Sequence, residues 1–203
     1  MNRLLRHAAV CIAALMSVLF AAYPPDARAD ARDDLHAAYA KMLGSRFVSD
    51  TVATDHKGKQ TRSRAEFDTR ERIRLSTDSG GFIIVPEGTW MRSGPDGEWS
   101  KPPFDLGGML KNLLPQSLDE MRTGTRNIRD EGTRSVDGQS LRAISYDIDT
   151  SIMGIKVSSH SVVFLDAEGR IVRTESDGEA MGKKTRSVQT TRYDDSIRVT
   201  APD

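Results

Sequence analysis

The chain has 203 residues, and 29 lysines and arginines balance 29 aspartates and glutamates. This balance gives no electrostatic reason to bind nucleic acid or to dock on an anionic membrane surface. The length supports one domain with a sizeable core.

Arg3 and Arg6 form a short positive start, and Ala8 to Ala22 is an almost unbroken apolar run. Pro24 and Pro25 end it, and Ala27-Arg28-Ala29 supplies the small-x-small pattern that signal peptidase needs before Asp30. The run is shorter than the roughly 20 residues that a membrane-spanning helix requires. Residues 1–29 are therefore expected to be a cleaved signal peptide, and residues 30–203 a single, monomeric periplasmic domain. The one cysteine, Cys11, lies inside the apolar run, so the mature chain has no disulfide and no thiolate metal site.

Asp30 to Gly44 reads as a helix, with Leu35, Ala38, Tyr39, Met42 and Leu43 on one face and Gly44 as its stop. Turn signals then recur every dozen or so residues: His56-Lys57-Gly58-Lys59, Asp78-Ser79-Gly80-Gly81, Glu87-Gly88, Pro95-Asp96-Gly97, Asp137-Gly138, Glu168-Gly169 and Asp177-Gly178. Asp-Gly pairs suit the positive φ angles of tight hairpins, so the pattern is an antiparallel meander.

Thr61 to Leu75 alternates throughout. Arg62, Arg64, Glu66, Asp68, Arg70, Arg72 and Arg74 fall on one side, and small or apolar residues including Phe67 and Ile73 on the other. The period of two predicts one long strand with its charged face in water. Phe82 to Val85 and Thr89 to Met91 read as short strands. Ile144, Tyr146 and Ile148 share a face over 139–149, as do Val157, Val163 and Leu165 over 155–166; residues 184–200 read as the last strands. Many inward positions are Thr, Ser or Ala, which suits a wide, incompletely filled concavity.

Five leucines, Leu106, Leu110, Leu113, Leu114 and Leu118, lie within thirteen residues, extended by Phe104, Met109 and Met121. Their spacing predicts an amphipathic helix, ended or kinked by Pro115, with Ser117-x-x-Glu120 as a capping box for a second short helix. Such an insertion would lid or plug a curved sheet, or else serve as a plain core helix that needs no ligand.

Thr77-Asp78-Ser79-Gly80-Gly81 is similar to a serine-protease nucleophile motif, but His56 lies at a polar turn too near in sequence to serve as its base. Asp147-Ile148-Asp149 lacks the parallel α/β setting of an aspartyl phosphatase. His36, His56 and His160 have no ligand-type neighbours at i+2 or i+4. Trp90 and Trp99 bracket a hairpin turn, an arrangement that fits a packing pair better than a ligand site. The expectation is a non-enzyme with no cofactor and no metal.

The order of a signal peptide, one helix, a Ser-Arg-Phe strand opening, Thr-Trp-Met-Arg at 89–92, Asp-Gly-Glu-Trp-Ser-Lys at 96–101, a helical insertion and a terminal Tyr-Asp-Asp-Ser-Ile-Arg-Val-Thr-Ala-Pro at 193–202 resembles the LolA/LolB-like superfamily of periplasmic lipoprotein carriers and its mycobacterial lipoprotein relatives. The resemblance implies a mainly β fold with some helix: a curved antiparallel sheet, an unclosed β-barrel, with an N-terminal helix and a helical lid. It implies a carrier or binder of lipid or lipidated protein that meets inner- or outer-membrane protein partners; a sensor or protein-interaction module of the same fold is the alternative. LolA-type carriers latch the lid with an early-strand arginine, and Arg62, Arg64, Arg70, Arg72 and Arg74 all fall on the face assigned to water. The expected ligand-binding residues are Leu106, Met109, Leu110, Leu113, Leu114 and Leu118 in the lid, with Phe67, Ile73, Phe82, Trp90, Ile144, Tyr146 and Ile148 on the concave face.

Overall fold

The structure, a computed structural model, describes residues 27–102, 122–152 and 155–202. Helix α1 spans Ala27–Leu43, beginning three residues earlier than its sequence pattern. Ten strands follow: β1 Phe47–Thr54, β2 Gln60–Thr69, β3 Arg72–Thr77, β4 Gly80–Val85, β5 Gly88–Ser93, β6 Thr125–Val136, β7 Gln139–Ile152, β8 Ile155–Leu165, β9 Ile171–Ala180 and β10 Lys183–Tyr193. They form one sheet in the order β5-β4-β3-β2-β1-β10-β9-β8-β7-β6. Every neighbouring pair is antiparallel. The edge strands β5 and β6 do not pair with each other, so the sheet is an unclosed barrel.

The inner face carries Phe47, Ser49 and Thr51 of β1 and the residues in register with them. Helix α1 packs on this face because Ala31, Leu35 and Ala38 recur at helical spacing; they are buried against Ile128, Ile144, Tyr146, Val163, Leu165 and Ile171. Arg142 adds a polar tie, reaching Asp34 of the helix and Asp130 of β6.

Three expectations are corrected. The single strand over 61–75 is a hairpin, β2 and β3 around Arg70-Glu71. Asp177-Gly178 is not a turn: β9 continues to Ala180, and the chain reverses at Met181-Gly182, both at positive φ. The last strand ends at Tyr193, and residues 194–202 cross the outer face without strand pairing.

That C-terminal segment is firmly packed. Val199 is 1% exposed, in a cluster with Ile83, Val85, Trp90, Trp99, Ile197 and Ala201. Asp68 anchors it, accepting from Arg46 Nε at 2.7 Å and from the Val199 amide at 3.3 Å. Arg72 donates to the Val199 carbonyl oxygen at 3.2 Å.

Candidate ligand cavity

Helix α1 covers only part of the inner face. Between it and strands β1 to β3 lies a cavity of about 510 Å³, within the roughly 300–1,000 Å³ typical of sites that enclose one small ligand.

Two apolar walls bound it. Phe47, Ala65, Phe67, Ile73 and Leu75 of β1 to β3 make one. Register fixes this wall: Phe47 opposes Phe67, which opposes Ile73, and Ala65 opposes Leu75. The Phe47 and Phe67 rings stack with centroids 4.4 Å apart at 18°. The other wall is Tyr39, Met42 and Leu43 of α1 with Tyr146 and Ile148 of β7. Tyr39 and Tyr146 join hydroxyl to hydroxyl at 2.6 Å. Burial raises the pKa of both phenols, well above the usual value for Tyr39, so both stay neutral.

The floor between the walls is hydroxylic. Ser49, Thr51, Ser63, Ser159, Ser161, Thr174, Ser176 and Gln189 line it. Gln189 Nε2 donates to Ser49 Oγ at 3.0 Å and to Thr191 Oγ1 at 3.4 Å. The Ser161 and Ser176 hydroxyls meet at 2.8 Å across β8 and β9. Ser49, Gln189, Ser161 and Ser176 thus have partners within the floor, so an apolar ligand above them need not strand these groups.

Arg70, in the β2–β3 turn, is the one charged side chain among the described lining residues. The even-numbered arginines around it behave as the alternation predicts: Arg64 pairs with Asp50, Arg72 with Glu87 and Arg74 with Glu66 on the outer face. Arg70 leaves that series because the turn, not the strand, directs it.

The structure gathers Phe67, Ile73, Tyr146 and Ile148 of the expected residues into the cavity. Ile144 lies in the closed core beneath α1. Phe82 opposes Leu75 in register but is not part of the lining. Trp90 sits on the other face, opposite Ile83, packed with the C-terminal segment and with Lys101 Nζ 5.3 Å from its ring centroid. Leu106, Met109, Leu110, Leu113, Leu114 and Leu118 lie outside the described residues. The sequence reading missed Phe47, Met42, Leu43 and Arg70 as lining residues; Phe47 and Phe67 being opposed across a hairpin centred on Lys57-Gly58 was the available signal.

Among the described residues no group of three histidine, cysteine or carboxylate side chains is placed to hold a metal. His160 Nδ1 and Asp147 Oδ1 lie 2.7 Å apart on the outer face, and Asn127 Nδ2 donates to Asp147 Oδ2 at 2.8 Å. These two bonds hold the Asp147 carboxyl below its ordinary range.

No family model matches this chain, and no curated protein matches it in sequence. Solved structures do match. LprF from Mycobacterium bovis aligns over 85% of this chain and 97% of its own, with a TM-score of 0.56 at 13% identity. The Mycobacterium tuberculosis lipoprotein LppX aligns over 84% and 98%, with a TM-score of 0.55 at 12% identity. A LolA superfamily protein from Nitrosomonas europaea aligns over 82% and 91%, with a TM-score of 0.31 at 8% identity. The chain therefore has the fold of LprF and LppX, the unclosed half-barrel that its motif order implied.

Proposed function

We propose that the inner-face cavity holds acyl chains, and that the protein is a non-catalytic periplasmic carrier or binder of lipid or of lipidated protein. The observation that carries this reading is the cavity itself, two apolar walls with stacked phenylalanines left unfilled by the helix that packs beside them. The half-barrel fold shared with LprF and LppX supplies the open inner face that this reading needs.

A sixteen-carbon chain gains about 12 kcal/mol gross on leaving water, at ~0.8 kcal/mol per methylene. A carrier that releases such cargo must offset much of that gain. The leucine-rich segment over 104–121 is proposed as the competing cover, its own side chains taking the place of the departing chain.

The test is titration of the purified, delipidated protein with a dansyl-labelled acyl probe, alongside native mass spectrometry of protein taken from the periplasm. Saturable binding that weakens on Ile73→Lys, and a co-purifying lipid mass, are expected. A folded protein that binds no acyl probe and carries no lipid would sink the reading. Replacing Leu110 and Leu113 by Gln is expected to change retention of the probe more than the unfolding midpoint.

A further inference from the structure

Strand register brings three turns to one end of the half-barrel, opposite the end that carries Arg70. These are residues 55–59 between β1 and β2, 78–79 between β3 and β4, and 181–182 between β9 and β10. Thr54 opposes Arg186 and Val157 opposes Ala180, so the neighbouring strand ends share this rim.

Five of the chain's eight lysines stand there: Lys57, Lys59, Lys156, Lys183 and Lys184. All five are exposed. None of them forms an ion pair among the described residues, whereas Arg64, Arg72, Arg74 and Arg173 on the outer face are all paired. The nearby carboxylates neutralise the rim only in part. Asp55 accepts from the backbone amides of Lys57 and Lys59 and Asp149 lies 3.9 Å from Arg126, while Asp78, Asp177 and Glu179, the last opposite Lys184 in register, are the other acidic groups near this end.

Met181 forms the tip. It is 75% exposed, the one large hydrophobic residue so placed among the described residues. It also has φ of 53°, a left-handed conformation that favours Gly, Asn or Asp. The equivalent turn at the opposite end, Asp137-Gly138, has the same backbone and carries the expected Asp, at φ 51°. Met181 is thus unfavourable twice, in backbone and in exposure, at a position where Asp or Asn would satisfy both.

We propose that this rim is a docking surface for an anionic lipid bilayer. Met181 enters the interfacial layer, and the lysines around it meet the phosphate headgroups with their stems alongside the apolar tip.

Co-sedimentation with vesicles tests it, and it stands apart from the cavity because no acyl probe is involved. The purified protein should bind vesicles containing phosphatidylglycerol at low salt and dissociate at high salt, since exposed charges are screened there. Lys183→Glu with Lys184→Glu should weaken binding at least about tenfold. Met181→Asn should weaken it several-fold while raising the thermal midpoint, which separates docking from folding. Equal binding to purely zwitterionic vesicles, or full binding by the folded double variant, would overturn the proposal. Failure to bind any vesicle would overturn it too, and would point the lysines toward an acidic protein partner.

Discussion

Tyr39 on the helix and Tyr146 on β7 touch hydroxyl to hydroxyl at 2.6 Å, with rings edge to face at 83° and centroids 6.3 Å apart. The pair is at once a joint between helix and sheet and part of one cavity wall. Its members are unequal, because Tyr146 also stands opposite Ser161 in the β7–β8 register, with that hydroxyl as a neighbour. Tyr146→Phe leaves the half-buried Tyr39 hydroxyl without its partner, and it should cost about 1–3 kcal/mol. Tyr39→Phe leaves Tyr146 the neighbouring Ser161 hydroxyl to turn to and should cost less. Urea unfolding of both single variants and the double variant measures the coupling; equal single costs would contradict the assigned network.

Asp68 should make the C-terminal segment sensitive to acid. Its hydrogen bond from Arg46, followed by that from the Val199 amide, lowers the carboxyl below its ordinary 3.8. A depressed carboxyl contributes stability that is present above the unfolded value and lost as pH falls through the folded one. Thermal midpoints should therefore drop as pH is lowered below about 4. Asp68→Asn should be less stable at neutral pH and show a flatter acid limb. Quenching of Trp90 and Trp99 by acrylamide reports whether the segment over them loosens first.

Phe47 is buried, and Phe67 stacked on it is half-buried. Phe47→Ala should cost about 3–5 kcal/mol, the range for emptying a buried aromatic site. Phe67→Ala should cost less and enlarge the cavity. Comparing the two by denaturant unfolding and by acyl-probe affinity distinguishes a wall that supports the fold from one that shapes the ligand space.

Arg142 ties Asp34 to Asp130, but all three side chains are partly exposed. Screening limits what the tie contributes, so Arg142→Ala should lower stability by only about 1 kcal/mol, and the loss should shrink in high salt.

Most of the sheet was legible because its turns carry Gly at positive φ, as at Gly58, Gly138 and Gly169. The failures have identifiable causes. In the β2–β3 hairpin, partners such as Ala65 and Leu75, or Phe67 and Ile73, are both odd-numbered. Alternation therefore runs through the reversal unbroken, and Arg70-Glu71 carries none of the usual turn residues. Gly178 lacks a positive φ and is held between Ser159 and Thr185 by pairing on both sides, which overrides the local Asp-Gly preference. Strand β6 escaped notice because it is an edge: exposed at most positions, rich in charge and interrupted by two register shifts.

The cavity was legible only in part. Apolar positions on β2, β3 and β7 were visible as alternation, but which faces meet depends on long-range strand order. Trp90 shows the limit. Its strand was read correctly, yet parity alone does not say which side becomes the interior, and the C-terminal segment decided it by covering the outer side.

The unpaired edges have a mechanical consequence. Among the described strands no ladder hydrogen bond joins β5 to β6, so parting the two flanks along that line breaks no interstrand bond. Charges and irregular pairing on β6, and the Met91–Ser100 bridge beside β5, keep the bare edges from recruiting another chain. Such a vessel widens by bending its ribs, at a cost set by twist and side-chain contacts, whereas a sealed cylinder of the same strands would have to tear a seam.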